Sequence, residues 1–539
     1  MGAIFLKFTI IILVMLFVGL MVPSSFVESR ISSRNATTNQ ISDFFGDVGY
    51  GTLSAERLEF VSNETIIQHF DATRAMNGLN LFTLKDTGEI FITDMNGTIL
   101  ASRFANNNDA APEFINSTTV FYMSKTGPVQ VLWNLKTNKT ETFNISAGHH
   151  DSEYNPKTGT FLVFGGGRYG SLPEEYGDLA GIPISYDDLY EYDKEGNVLW
   201  YWNGSTHIPF DSSMYLNETG RGATSADWMH GNALFWDIEE DVIYYNPRNL
   251  DTLYKINKTT GDIVWSVGKH GDFTLYDKYG NQKESLWYHS HSAEVIGPNR
   301  FMMFDNDLWN TTRNATATIE FSRIVEFVVN ETDMTAREVF TWVGSEEYTC
   351  NRFGDADRLP NGNYIGCFGT FPEHPAYTTE VTPNGDIVWE FVFNASSLYR
   401  FERFLETPLI EFVNIESTIK IGDDDTTFNL SVWDNFKSRI YTNGSLSIYD
   451  DEDNLLLEKD FKFLPHWQET QLNFSISALT LTAGIYTLNI VVENSAGLST
   501  TQSITLTVQT TSGTSGFGAF VAFLGVIGLV LVYQRRKRK

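Results

Sequence analysis

Only two cysteines, Cys350 and Cys367, occur in 539 residues. A zinc site built from cysteines is excluded by that count, and the spacing allows at most one disulfide, between neighbouring strands in an oxidising compartment. Basic residues are also short: 38 Lys and Arg against 67 Asp and Glu leave a formal charge of −29. Such a field repels phosphate backbones, so nucleic acid is not an expected partner. Proline is sparse, at 15, and histidine sparser, at ten, so the place of each histidine carries information.

What is present favours strands. Aromatic residues make up 14%, and Val, Ile, Thr and Tyr recur between glycine-containing turns, the composition of an all-β protein. The length exceeds one ordinary domain and predicts two or three folded units. Two apolar segments stand apart from this polar body. Residues 8–22 follow Lys7 and end at Pro23, so that residues 1–29 form a signal peptide or an N-terminal anchor. Residues 517–533 have transmembrane character, and residues 534–539 include a run of five basic residues that would stay cytoplasmic, leaving the body outside. More than a dozen Asn-X-Ser/Thr sequons, among them Asn63, Asn96, Asn116, Asn144, Asn203, Asn314, Asn394 and Asn473, are compatible with a glycosylated exterior.

One unit recurs along the chain: an apolar strand, a polar turn with Gly or Asn, and a second strand that often ends in tryptophan. The clearest copies are residues 189–200, 253–265 and 379–389; looser ones occupy 324–342, 129–145 and 90–104. The spacing leaves room for another strand pair in each repeat, which predicts six four-stranded sheets of the propeller type over residues 30–407. A long array of β-sandwiches is the alternative. From residue 408 to 509 short alternating strands replace the repeat and predict an immunoglobulin-like sandwich, read as a stalk. Residues 510–516 read as a flexible linker to the membrane segment.

Several histidines fall at one place in successive repeats, just ahead of a strand pair: His149-His150-Asp151, then Asp227-Trp228-Met229-His230-Gly231-Asn232, then His289-Ser290-His291. Inner strands of a propeller face a common axis, so His150, His230 and His291 are candidates for one cluster. His149 and His289 stand beside them as alternatives. Asp151 either orients His150 or caps a turn.

At these residues the chain resembles the arylsulfotransferase family. The same order continues through Arg248-Asn249-Leu250-Asp251, Ser290-His291-Ser292-Ala293, Phe304-Asp305-Asn306, Ser322-Arg323, Leu359-Pro360-Asn361-Gly362-Asn363 and Ser397-Leu398-Tyr399-Arg400. The resemblance implies a six-bladed β-propeller that moves a sulfuryl group from an aryl sulfate to a phenol through a histidine, without a nucleotide donor, cofactor or metal. By position the carrier would be His291, with His150, His230 and Arg248 as the other site residues. Arg323 reads as a brace within its sheet. Departures are Pro247, where the family often has serine, and Ser290 and Ser292, where members often carry Gln and Asp or Thr.

The residue types suit that chemistry. Neutral imidazole offers a lone pair near physiological pH, and a covalent intermediate divides one transfer into two. A guanidinium fork matches sulfuryl oxygens. The attacking imidazole must be neutral and the group that protonates the leaving phenol charged, so the expected pH–rate profile is a bell. Two other classes remain on sequence grounds: a non-enzymatic cell-surface binding or adhesion protein, and a lyase or hydrolase whose metal is held by the three histidines.

Overall fold

The computed structural model describes residues 55–510, apart from 108–109, 125–128, 147, 215–223, 308–320, 370–374, 395, 414–417, 422–426 and 476–478. The apolar segments 8–22 and 517–533, the basic tail and nearly all of 510–516 lie outside the described residues. Among the described residues no helix is long and apolar enough to cross a membrane. Strand accounts for 56% and helix for 6%, which makes the protein all-β. All described residues belong to one compact unit.

Six sheets follow one another in a β-propeller-like succession. The second consists of Glu113–Asn116, Thr119–Ser124, Val129–Asn134 and Lys139–Phe143; the third of Ser152–Asn155, Thr160–Ser171, Pro183–Tyr192 and Val198–Trp202. The fourth runs Gly231–Asp237, Val242–Pro247, Thr252–Asn257 and Ile263–Gly268, and the fifth His291–Gly297, Arg300–Asp305, Arg323–Asn330 and Thr335–Val343, extended on its outer edge by Thr274–Tyr276 and Gln282–Lys283. In the sixth, Asp355–Arg358, Tyr364–Phe368, Ala376–Val381 and Ile387–Phe393 are extended by Thr65–Phe70 on the outer edge. The first sheet is assembled from both ends of the region: Leu79–Leu84, Glu89–Thr93 and Ile99–Phe104 take their inner strand from Leu398–Phe404. Each of the six hairpins read from the sequence forms the third and fourth strands of one sheet, counted from its inner edge.

Neighbouring sheets bury their apolar faces on one another. Phe161 and Val163 of the third pack with Phe121 and Leu132 of the second, and Leu234, Ile243 and Ile256 of the fourth with Leu162 and Leu189 of the third. The sixth meets the first through Phe391, Phe401 and Phe82. The hairpin tryptophans tie the sheets further. Trp202 Nε1 donates to Gly261 O at 2.9 Å, Trp265 to Glu331 Oε1 at 3.0 Å, Trp342 to Gly385 O at 3.2 Å and Trp389 to Met95 O at 3.0 Å. In every case the acceptor lies in the hairpin turn of the next sheet. In the third sheet the residue in this role is Trp202, not Trp200, where the repeat was read to end.

Residues 409–510 form a two-sheet sandwich, with Leu409–Val413, Thr427–Trp433 and Thr470–Ser475 facing a five-stranded sheet made of Thr418–Ile421, Thr442–Tyr449, Leu455–Phe463, Gly484–Asn494 and Ser499–Thr510. Alternate residues such as Phe428, Leu430, Leu446, Ile448, Leu488 and Ile490 point inward, as the two-residue period of a strand requires. The stalk reading needs correction. The sandwich lies against the propeller-like region, where Lys437 and Arg439 form ion pairs with Glu294, Asp357, Glu113 and Glu153. Cys350 and Cys367 are buried, and no disulfide joins them.

Candidate active site

The chain turns sharply into several inner strands, and it does so on residues with left-handed backbone. His150 (φ 67°), His230 (φ 54°) and Phe353 (φ 69°) stand just before the inner strands of the third, fourth and sixth sheets. Holding a non-glycine residue there costs on the order of 1 kcal/mol, and such strain gathers at functional sites. The effect is to bring rings from distant repeats together. His150 Nε2 lies 3.0 Å from His230 Nε2. On its far side His150 Nδ1 meets the Tyr399 hydroxyl at 3.0 Å, and His230 Nδ1 meets Asp227 Oδ2 at 2.5 Å. The result is a continuous chain of four groups: Tyr399, His150, His230 and Asp227.

His291 opens the inner strand of the fifth sheet and is 2% exposed. Its Nδ1 lies 2.6 Å from Asn306 Oδ1. The Asn306 amide nitrogen is committed to Cys350 O at 2.7 Å and Phe353 O at 2.9 Å, so its oxygen must face the imidazole and accept. Nδ1 therefore carries the proton and Nε2 the lone pair. Nε2 receives only a long backbone hydrogen bond, 3.3 Å from Phe353 N.

Burial holds the His291 imidazole well below the usual histidine range, and the charges of Arg248 and Arg400 act the same way. His150 is likewise depressed, by burial first and then by His230, His149 and His291. Burial pushes the Asp227 carboxyl up, but the hydrogen bond from His230 and the charges of His230 and Arg248 outweigh it and keep it below the ordinary value. Arg248 is half-buried and belongs to a short turn, Arg248–Leu250, that follows Pro247. The turn is bonded to the histidine segment: Arg248 N donates to His230 O at 3.1 Å and Asn249 Nδ2 to Asp227 O at 2.9 Å.

All four expected site residues thus fall in one region. His150 and His230 touch, and His291 and Arg248 lie within electrostatic range of them. Of the alternatives, His149 also borders the cluster, its ring 5.1 Å from that of His150 and 6.1 Å from that of His230, but its polar partner is different. His149 pairs with Asp187 at 2.7 Å and stacks on Phe164, while His289 is buried beside the Asp251 turn. Asp151 does not orient His150. Its carboxylate accepts from Ser152 N and, across to the fourth sheet, from Leu234 N, and burial pushes it up to about 6. Arg323 braces its own sheet through Asp305 at 2.6 Å and Glu338 at 3.5 Å. Ser290 and Ser292 hold neighbours, Ser290 O accepting from Asn232 and Asn246 and Ser292 Oγ donating to Asp355. Among the described residues no group of three or more His, Cys, Asp or Glu side chains is arranged to hold a metal ion.

Asn306, Asp227 and Tyr399 were each inside a recognised string, but nothing local marked them as partners of the histidines. Over this same stretch the model of the arylsulfotransferase (ASST) family matches residues 68–400, more than half of the chain. The chain belongs to the arylsulfotransferase family. Membership supports sulfotransferase activity in general. No curated protein matches this arylsulfotransferase-family chain. Solved structures similar to it include a protein of unknown function from Bacteroides caccae, at 10% identity and TM-score 0.35, covering 60% of this chain and 98% of that one. TolB from Acinetobacter baumannii is similar at 10% identity and TM-score 0.35, covering 60% and 66%. TM-scores of this size identify neither a shared fold nor a shared function.

Proposed function

We propose that this protein is an aryl sulfotransferase that moves a sulfuryl group from an aryl sulfate to a phenolic acceptor by a ping-pong mechanism, on a six-bladed β-propeller followed by an immunoglobulin-like sandwich. The observation that carries the reading is the tautomer of His291. Asn306 occupies Nδ1–H, so the available lone pair is that of Nε2, which meets a long contact from Phe353 N, on a ring within electrostatic range of the histidine relay and Arg248. In the first half-reaction Nε2 attacks sulfur. An N–S bond forms while the bond from sulfur to the aryl oxygen breaks, and its electron pair leaves on the phenolate. The phenolate takes a proton from the relay, held on His230 with Asp227 as counter-ion. In the second half-reaction the acceptor phenol returns its proton to the relay, its oxygen attacks sulfur, and the N–S electron pair goes back to Nε2. Asn306 Oδ1 stabilises the positive ring of the sulfohistidine at Nδ1–H, and Arg248 offers its guanidinium to the sulfuryl oxygens.

We also propose that the enzyme works outside the cell, tethered by residues 517–533. The exposure of sequon residues Asn63, Asn96, Asn116, Asn144 and Asn473 supports this placement. The decisive experiment is release of 4-nitrophenol from 4-nitrophenyl sulfate, with and without phenol, by wild type and His291→Ala. Acceptor-dependent release that the variant loses supports transfer through His291. A folded protein that turns over none of several aryl sulfates is instead a binding module, and turnover that a chelator wash abolishes points to metal chemistry.

A further inference from the structure

The connection between Thr427–Trp433 and Thr442–Tyr449 joins the two sheets of the sandwich, yet Asp434, Asn435, Phe436, Ser438 and Arg439 within it are buried. Connections ordinarily run over the surface, because a buried one must find partners for its polar groups. Here the partners are the inner strands of the propeller-like region. Lys437 Nζ lies 2.6 Å from Glu294 and 2.5 Å from Asp357, and Arg439 Nη2 lies 3.0 Å from Glu113 and 3.1 Å from Glu153. These carboxylates come from the fifth, sixth, second and third sheets. Glu402 on the inner strand of the first also acts on Lys437. The fourth sheet contributes Phe235, whose ring lies 4.0 Å from the Arg439 guanidinium and 5.0 Å from the His466 ring. All six inner strands therefore meet one connection of the sandwich.

The carboxylates stand at a common offset in their sheets. Asp357 shares one strand face with Asp355, and Glu153, Glu294 and Glu402 stand two residues past Asp151, Ser292 and Arg400, where the chain enters its strand or bulges. Between the two layers is a cavity of about 30 Å³, bounded by Asp355 and Arg400 toward the histidines and by Glu402 and Arg439 toward the sandwich.

We propose that the sandwich is the charged plug of the propeller axis: Lys437 and Arg439 bring two positive charges into a ring of five carboxyl groups and clamp neighbouring inner strands, Lys437 the fifth to the sixth and Arg439 the second to the third. The fifth and sixth strands are those that carry His291 and follow Phe353, so Lys437 lies under the pair that positions the reactive ring. Burial pushes Glu113, Glu153, Asp357 and Glu402 up, Asp357 to about 8. It acts on Glu294 too, but there Lys437 and Arg439 outweigh it. The other charged or titratable groups facing the cluster are Asp151, Asp355, Arg400 and His466. Without the two sandwich cations, Arg400 is the cation left among these groups to offset the acids.

The proposal does not depend on the chemistry of the histidines, and its test reads stability rather than turnover, so the two readings can fail separately. Thermal unfolding of the full chain is compared at about pH 5.5 and about pH 8 for wild type, Lys437→Met, Asp357→Asn and the double variant. Lys437→Met is expected to lower Tm by about 5 °C or more at the higher pH. The loss is expected to be smaller at the lower pH, because carboxyls deprived of their cation hold protons in the folded state and become destabilising as those protons leave. Asp357→Asn is expected to recover part of the loss in the Lys437→Met background and to give no comparable gain in wild type. If Lys437→Met yields no folded protein, recovery of soluble protein in the double variant supports the proposal and its absence overturns it. An unchanged Tm in Lys437→Met, or an equal loss at both pH values with no recovery, also overturns it.

Discussion

Asn306 decides which nitrogen of His291 is nucleophilic, so its replacement tests the mechanism more sharply than replacement of the histidine itself. Asn306→Leu removes the acceptor at Nδ1 and lets the ring change tautomer. A wrong or mixed tautomer is expected to lower kcat by about 100-fold or more with a smaller change in KM. Steady-state kinetics on protein checked for folding by circular dichroism measures this, and equal kcat in variant and wild type would remove the tautomer argument. Tyr399→Phe takes away the hydroxyl at the end of the relay. The expected cost is that of one hydrogen bond, about 1 kcal/mol or roughly five- to tenfold in kcat. The pH profile follows from the direction of the histidine shift. A base whose pKa is depressed stays neutral at lower pH, so the acid limb of kcat/KM is expected below the ordinary histidine value of about 6.5. An inflection at or above that value would show that burial does not govern His291. His150, His230 and His291 were picked out in the sequence because histidine is rare and the copies recur in step, and Arg248 by the resemblance to the family. Tyr399 was not, since 249 residues separate it from His150.

The hairpin is the element that the sequence displays best and the one that does most to join the sheets. Apolar alternation around a Gly or Asn turn is a local pattern, and all six hairpins could be read from it. The terminal tryptophan was legible as a recurring residue but not as a latch, because its acceptor belongs to the following hairpin. Trp389 is fully buried, and its Nε1 reaches Met95 O in the first sheet. Trp389→Phe leaves that carbonyl without its donor and a small void, an expected loss of about 1–3 kcal/mol by chemical denaturation. Trp265→Phe should cost less, because its acceptor Glu331 is about 40% exposed and water can replace the donor. Equal losses in the two variants would show that packing, not the hydrogen bond, sets the cost. Inner strands escaped the pattern for a physical reason. Ser152–Asn155 and Asp355–Arg358 are four residues long and mostly polar, so neither length nor hydrophobic period marks them.

At the scale of the whole molecule the centre is acidic and buried, which sets the direction of its pH dependence. Asp151 and Asp357 are raised by burial to about 6 and about 8, and Glu153 and Glu402 are raised with them. A carboxyl whose folded pKa exceeds its unfolded value of about 4 binds its proton more tightly when folded. Its contribution is present at low pH and is lost as pH climbs through the folded value. Tm is therefore expected to be higher near pH 5.5 than near pH 8, since these four carboxyls outnumber His150, His291 and His466, whose depressed values act in the opposite sense, and a scan of thermal unfolding across that window checks the sign. By itself the sequence determined the all-β class, the six hairpins, the alternating strands of the sandwich and the family to which the ordered motifs belong, because turn chemistry and the two-residue period of a strand act over a few residues. Only the tertiary structure decided that Leu398–Phe404 completes the first sheet, that His150 and His230 share a hydrogen bond, that Asn306 sets the tautomer of His291, and that Lys437 and Arg439 enter the acidic centre. Those contacts join residues far apart in the chain, and they exist only once the packing of successive sheets has brought the inner strands together.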